Sequence, residues 1–105
     1  MLLTWYPKAV GELSVQMALC RKLHGPLTTL KARDNVKKQV HRLTHSPEIG
    51  VREPLLKEKS KDYRSLVILP HFKIVYFIDE SADRVCIVDF WNTLRNPATL
   101  ASRLS

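Results

Sequence analysis

Three β-branched and aromatic runs crowd into the second half of the chain. They are residues 63–69 (Tyr-Arg-Ser-Leu-Val-Ile-Leu), 73–79 (Lys-Ile-Val-Tyr-Phe-Ile-Asp) and 84–91 (Arg-Val-Cys-Ile-Val-Asp-Phe-Trp). Only Pro70-His71-Phe72 and Glu80-Ser81-Ala82-Asp83 separate them. Links this short join antiparallel neighbours, because a parallel pair needs a crossover of roughly a dozen residues or more. The chain is therefore committed to an antiparallel meander. Both faces of these strands are partly apolar, so helices are expected to cover one face and another body part of the other.

The first half supplies the helices. Residues 2–6 (Leu-Leu-Thr-Trp-Tyr) fit a short first strand that stops at Pro7, a residue suited to the first turn of a helix because its missing N–H costs nothing there. Ala9, Val10, Leu13, Met17 and Cys20 then recur at steps of three and four as an apolar stripe, ending at His24-Gly25-Pro26. Beyond that breaker Thr28 or Thr29 can cap a second helix, with Ala32, Val36, Val40 and Leu43 on one face. The two helices read as a hairpin whose apolar faces need a sheet. Ser46-Pro47-Glu48-Ile49-Gly50 is turn chemistry, and the charged stretch 52–62 reads as an exposed connection. Asn96-Pro97 pairs a cap with a first helical residue and opens a short helical tail over 98–104. The expected architecture is a single α+β domain over residues 1–105: a strand and a helical hairpin packed on an antiparallel sheet, with a short C-terminal helix.

Charge is the unusual quantity. Lys and Arg number 17 against 10 Asp and Glu, a net +7 with a pI near 9.7, which favours a polyanionic partner: nucleic acid, an acidic protein or an anionic membrane. Between Arg21 and Lys73 the net charge is +8, so the remainder of the chain is close to neutral. On the second helix Lys31, Lys37, Lys38 and Arg42 form either a plain solvated face or a surface that contacts phosphates. Arg64 and Lys73 stand on neighbouring expected strands, where they can approach one another. Like charges brought together call for an anion between them, although basic side chains on a sheet edge also block edge pairing.

Two cysteines, Cys20 and Cys86, without CxxC spacing fit a reducing, cytoplasmic setting rather than a disulfide framework. The N-terminus shows no secretory signal pattern, and no apolar run approaches membrane-spanning length. Cys86 alternates with apolar neighbours in its strand and reads as packing. His71 sits in the turn between Arg64 and Lys73, as a general acid or base or as an ordinary turn residue. His41 and His45 are one helical turn apart, but no third ligand accompanies them, and no metal or cofactor is expected. Phe90 and Trp91 end the last strand as core, as a partner contact or as a base-stacking platform.

The segments Tyr63-Arg64-Ser65-Leu66 and His71-Phe72-Lys73-Ile74-Val75-Tyr76-Phe77-Ile78-Asp79 resemble the RelE/ParE superfamily of type II toxin–antitoxin toxins. That family pattern sets a basic residue on one strand, a short turn, then an aromatic-basic-apolar-apolar-Tyr strand. Trp5, Ala9, Leu43, Ser46-Pro47, Gly50 and Asn92-Thr93-Leu94-Arg95-Asn96-Pro97 extend the resemblance over the whole chain. It implies a growth-arresting toxin, of the plasmid-stabilisation kind, wrapped by a cognate antitoxin that covers its basic surface in a hetero-oligomer. RelE-like members cleave mRNA in the ribosomal A site with a cluster of basic residues, and ParE-like members inhibit DNA gyrase. The resemblance puts ribosome-dependent mRNA cleavage first, with gyrase inhibition or a non-catalytic nucleic-acid-binding role as alternatives. Arg64, Lys73 and Arg95 stand at or beside the basic positions of the ribonuclease branch, with His71 between the first two. Two departures accompany them: Leu66 stands where a second basic residue is expected, and Leu94 near where an arginine is expected.

Overall fold

The computed structural model describes residues 1–68, 71–96 and 98–103. Leu69 and Pro70 of the expected meander, Pro97 of the expected cap and Leu104 of the expected tail lie outside them. Strand β1 (Leu2–Trp5) leads into α1 (Pro7–His45), and a single 3-10 turn (Pro47–Ile49) leads into the two-residue strand β2 (Val51–Arg52). A second 3-10 turn (Pro54–Leu56) precedes β3 (Arg64–Ile68), β4 (Phe72–Asp79), β5 (Arg84–Asn92) and α2 (Ala98–Arg103).

Helix α1 is two arms folded back on each other. Gly25 breaks it with φ 85° and ψ 175°, a conformation open to glycine and strained for residues with a Cβ, and Pro26 starts the second arm. The arms run antiparallel, since Met17 and Ser14 of the first line one surface groove with Thr29 and Arg33 of the second. Neither Thr28 nor Thr29 caps the second arm: the arm begins at the break itself, and Thr29 Oγ1 instead donates to Gly25 O at 2.9 Å from inside the helix. The expected stripe also needs one change. Ala9 and Met17 are buried, but Val10 is 46% exposed.

The five strands form one sheet in the order β1-β5-β4-β3-β2. The meander β3-β4-β5 is antiparallel as expected, while β1 joins it parallel to β5, with Leu2 opposite Arg84 and Trp5 opposite Ile87. One face carries Leu66, Ile68, Phe72, Ile74, Tyr76, Val85, Ile87 and Phe90 against Ala9, Met17, Val36, Val40 and Leu43 of the hairpin. The opposite face carries Val75, Phe77, Cys86, Val88 and Trp91, closed over by Leu56 from the second 3-10 turn and Leu100 from α2. The charged connection 52–62 is thus only partly an exposed link, because Glu53 and Leu56 are buried within it. A β-bulge at Val88, between the Val75–Asp89 and Tyr76–Ile87 pairs, sets Asp89 opposite Val75.

Candidate functional site

Strand register decides how the basic candidates are arranged. Arg64 faces Tyr76 across the β3–β4 ladder, while Lys73 faces Val67. Side chains alternate along a strand, so Arg64 lies on the face of Leu66 and Tyr76, and Lys73 on the face of Val67 and Val75. The expectation that Arg64 and Lys73 approach one another is corrected here: they point to opposite sides of the sheet. No anion can bridge them.

Each is also engaged. Arg64 Nη1 donates to Gly50 O at 2.9 Å and to Glu48 O at 3.4 Å, holding the segment that follows the hairpin onto the sheet. Beside it the Tyr76 hydroxyl donates to Pro47 O at 2.6 Å and accepts from Gly50 N at 3.0 Å. Burial pushes the Tyr76 phenol above its ordinary range. On the other face Lys73 Nζ donates to Glu53 Oε2 at 2.7 Å, with the carboxylate side chain 2% exposed. Burial pushes the Glu53 carboxyl up, but hydrogen bonds from Lys73, Ser65 and the Leu55 N–H, with the Lys73 charge, outweigh it and hold it below the usual carboxylate range.

Arg95 lies in the loop after β5. Its Nη2 is 3.1 Å from Glu12 Oε2 of the first arm, and its guanidinium lies 5.4 Å from the Trp91 ring centre. Arg103 of α2 shares both neighbours: it reaches Glu12 at 3.2 Å, sits 5.2 Å from the Trp91 ring centre, and grips the fully buried Asp89 through Nε at 3.0 Å and Nη2 at 2.9 Å. Trp91 is thereby a core residue stacked under two guanidiniums. His71, half-buried, lies against Phe72 with ring centres 4.4 Å apart and the rings tilted by 41°, and its carbonyl accepts from Thr93 N and Oγ1. Cys86 is buried, and burial raises its thiol pKa, as suits packing rather than nucleophilic work. The rings of His41 and His45, both exposed, meet edge to face at 4.9 Å.

Lys31, Lys37, Lys38 and Arg42 are all exposed on the second arm. Lys37 joins Arg33 and His41 around a groove between the hairpin and β1, whose apolar lining is Leu3, Trp5, Leu13, Val36 and Val40. The structure thus separates the candidates into a basic helical arm and three engaged cations around the sheet. Sequence reasoning missed the partners Glu53, Glu12 and Asp89, each of which lies far along the chain from the cation it holds. An isolated carboxylate in the sequence carries no signal of such pairing.

No family profile matches the chain, and no curated protein matches it by sequence. A solved structure does: a chain of the structure described as "Chromosomal ParDE TA system from P. aeruginosa" superposes with a TM-score of 0.71 at 24% identity, over 88% of this chain and 95% of that one. The chain has a ParE/RelE-like fold. Within that fold the meander is the platform, the hairpin covers one face, and the second 3-10 turn and the C-terminal helix cover part of the other. No helix among the described residues is long and apolar enough to cross a membrane.

Proposed function

We propose that this chain is the toxin of a toxin–antitoxin pair, acting inside the cell by inhibiting DNA gyrase in the ParE-like manner rather than by cutting mRNA. One observation carries the choice of mechanism: the cations at the candidate cleavage positions lie on different faces and are already engaged. Cleavage beside a 2′-hydroxyl needs preorganised cations converging on one phosphate, where charge builds up in the transition state. Lys73 is neutralised by Glu53, Arg95 by Glu12, and Arg64 is turned to backbone carbonyls on the other face. The likeness to a ParDE toxin–antitoxin structure supports the toxin role.

The antitoxin reading has its own support in the groove at Trp5. An apolar floor with Arg33, Lys37 and His41 at its rim suits an acidic, amphipathic segment, and the neighbouring Lys31, Lys38 and Arg42 extend the same field.

Two assays on the purified chain decide the mechanism. The expected result is inhibition of supercoiling by purified gyrase, with mRNA left intact when translated in a purified system and read by primer extension. Cuts at the ribosomal A site, with supercoiling unaffected, would overturn the proposal in favour of the RelE-like reading.

A further inference from the structure

The hairpin carries a second exposed surface toward its tip, beginning beside the Trp5 groove, since Leu13 and Arg33 line that groove and Val15 and Leu30 follow them toward the reversal. Of the twelve large apolar side chains left exposed among the described residues, five lie between Val15 and Leu30: Val15 57%, Leu19 45%, Leu23 64%, Leu27 74% and Leu30 57%. They are one helical turn apart along each arm, Val15 to Leu19 to Leu23 and Leu27 to Leu30, and the reversal at Gly25 lies between Leu23 and Leu27. An apolar strip thus runs along the first arm through Val15, Leu19 and Leu23, Leu27 follows beyond the reversal, and Leu30 borders the groove between the arms beside Ser14 and Ala18. A soluble surface rarely concentrates large apolar side chains in this way unless something covers them.

Charge selects the occupant. From Leu13 to Arg33 the chain holds no Asp or Glu, yet it holds Arg21, Lys22, Lys31 and Arg33, all exposed. A second copy presenting the same strip would bring two sets of these cations together, which is unfavourable. A partner with apolar anchors flanked by carboxylates matches both properties.

We propose that this hairpin tip docks an acidic helix, apolar on one face, belonging to the protein that the toxin inhibits. The naming of that partner as the inhibited protein rests on the toxin reading; the docking chemistry does not. The antitoxin is then assigned to the Trp5 groove and the target to the tip, with Arg33 at the border of the two surfaces.

The test uses the full chain and a fluorescein-labelled model helix with leucines on one face and glutamates elsewhere, beside an otherwise identical peptide with lysines for glutamates. Fluorescence anisotropy is expected to show binding of the glutamate helix, weakened by salt, and none of the lysine helix. The double variant Leu23→Asp/Leu27→Asp is expected to weaken that binding at least tenfold, with an unchanged circular dichroism melt, since both side chains are exposed. Failure of the glutamate helix to bind, or binding indifferent to the double variant, overturns the docking surface. Concentration-dependent dimerisation that the variant abolishes, or co-sedimentation of the wild type with vesicles containing phosphatidylserine that the variant abolishes, overturns it in favour of a second copy or a lipid surface.

Growth arrest on induction then tests the partner. The variant is expected to lose arrest and gyrase inhibition while binding the antitoxin as the wild type does. Retained arrest, with peptide binding lost, overturns the assignment of the tip to the target. A wild-type chain that neither arrests growth nor inhibits gyrase overturns both that assignment and the toxin reading, and leaves the peptide result to judge the docking chemistry alone.

Discussion

Lys73 Nζ lies 2.7 Å from Glu53 Oε2 with both side chains largely withdrawn from solvent, so a cation at a candidate catalytic position is a structural clamp. The pair fastens the connection after β2 to the middle of the sheet. Removing one partner of a buried pair leaves the other uncompensated, typically a loss of about 3–5 kcal/mol. Lys73→Met is therefore expected to destabilise the fold by an amount in that range. The double variant Lys73→Met/Glu53→Leu is expected to recover much of the loss, with urea titration as the measurement.

The same pair sets a pH dependence. The Glu53 carboxyl is held below its ordinary value in the folded chain, whereas unfolded glutamate titrates near about 4.3. Its contribution is fully present above that unfolded value and is lost as pH falls through the lower folded value. The urea midpoint of the wild type should thus fall on acidification below about pH 4 more steeply than that of Glu53→Gln.

Tyr76 and Gly50 make a second, independent prediction. The buried Tyr76 hydroxyl satisfies Gly50 N and Pro47 O at once, and Tyr76→Phe leaves both backbone groups without that partner, at a cost of about 1–3 kcal/mol. A Cβ at Gly50 would collide with the Tyr76 hydroxyl and stand 2.8 Å from Ser65 O. Gly50→Ala should destabilise in its own right. Combined with Tyr76→Phe, its added cost should shrink, because one of the colliding atoms is gone.

Arg103 is predicted to resist conservative exchange. It holds the buried Asp89 through two nitrogens, a fork that lysine does not reproduce. Arg103→Lys should lower the melting temperature and raise amide exchange in α2. Asp89→Asn/Arg103→Met should restore part of the melting temperature, since no buried charge is then left unpaired.

Much of this architecture is legible in the residues. The meander follows from strand-length apolar runs and links of three and four residues, and the hairpin from Gly25-Pro26 between two stripes of helical spacing. Strand parity is not legible in the same way. Whether Arg64 and Lys73 share a face turns on a single residue of register, and the pairing of Arg64 with Tyr76 answers it. Two-residue β2 is too short to carry a period, and β1 pairs with β5 by tertiary packing that no local pattern encodes. The site was partly readable for a related reason: basic residues are visible as such, but the carboxylates that claim them arrive from distant segments, as Glu12 does for Arg95.

The parallel pairing of β1 with β5 also orders events during synthesis. Leu2 waits for Arg84 and Trp5 for Ile87, so the earliest strand made is completed by the latest. Contacts of such long sequence separation form slowly, because the loop between them must close before they stabilise anything. A nascent chain on the ribosome can wind its helical hairpin but cannot finish its sheet until β5 has emerged. The sheet therefore closes last at its β1–β5 seam, after the hairpin and the β3-β4-β5 meander have made their more local contacts.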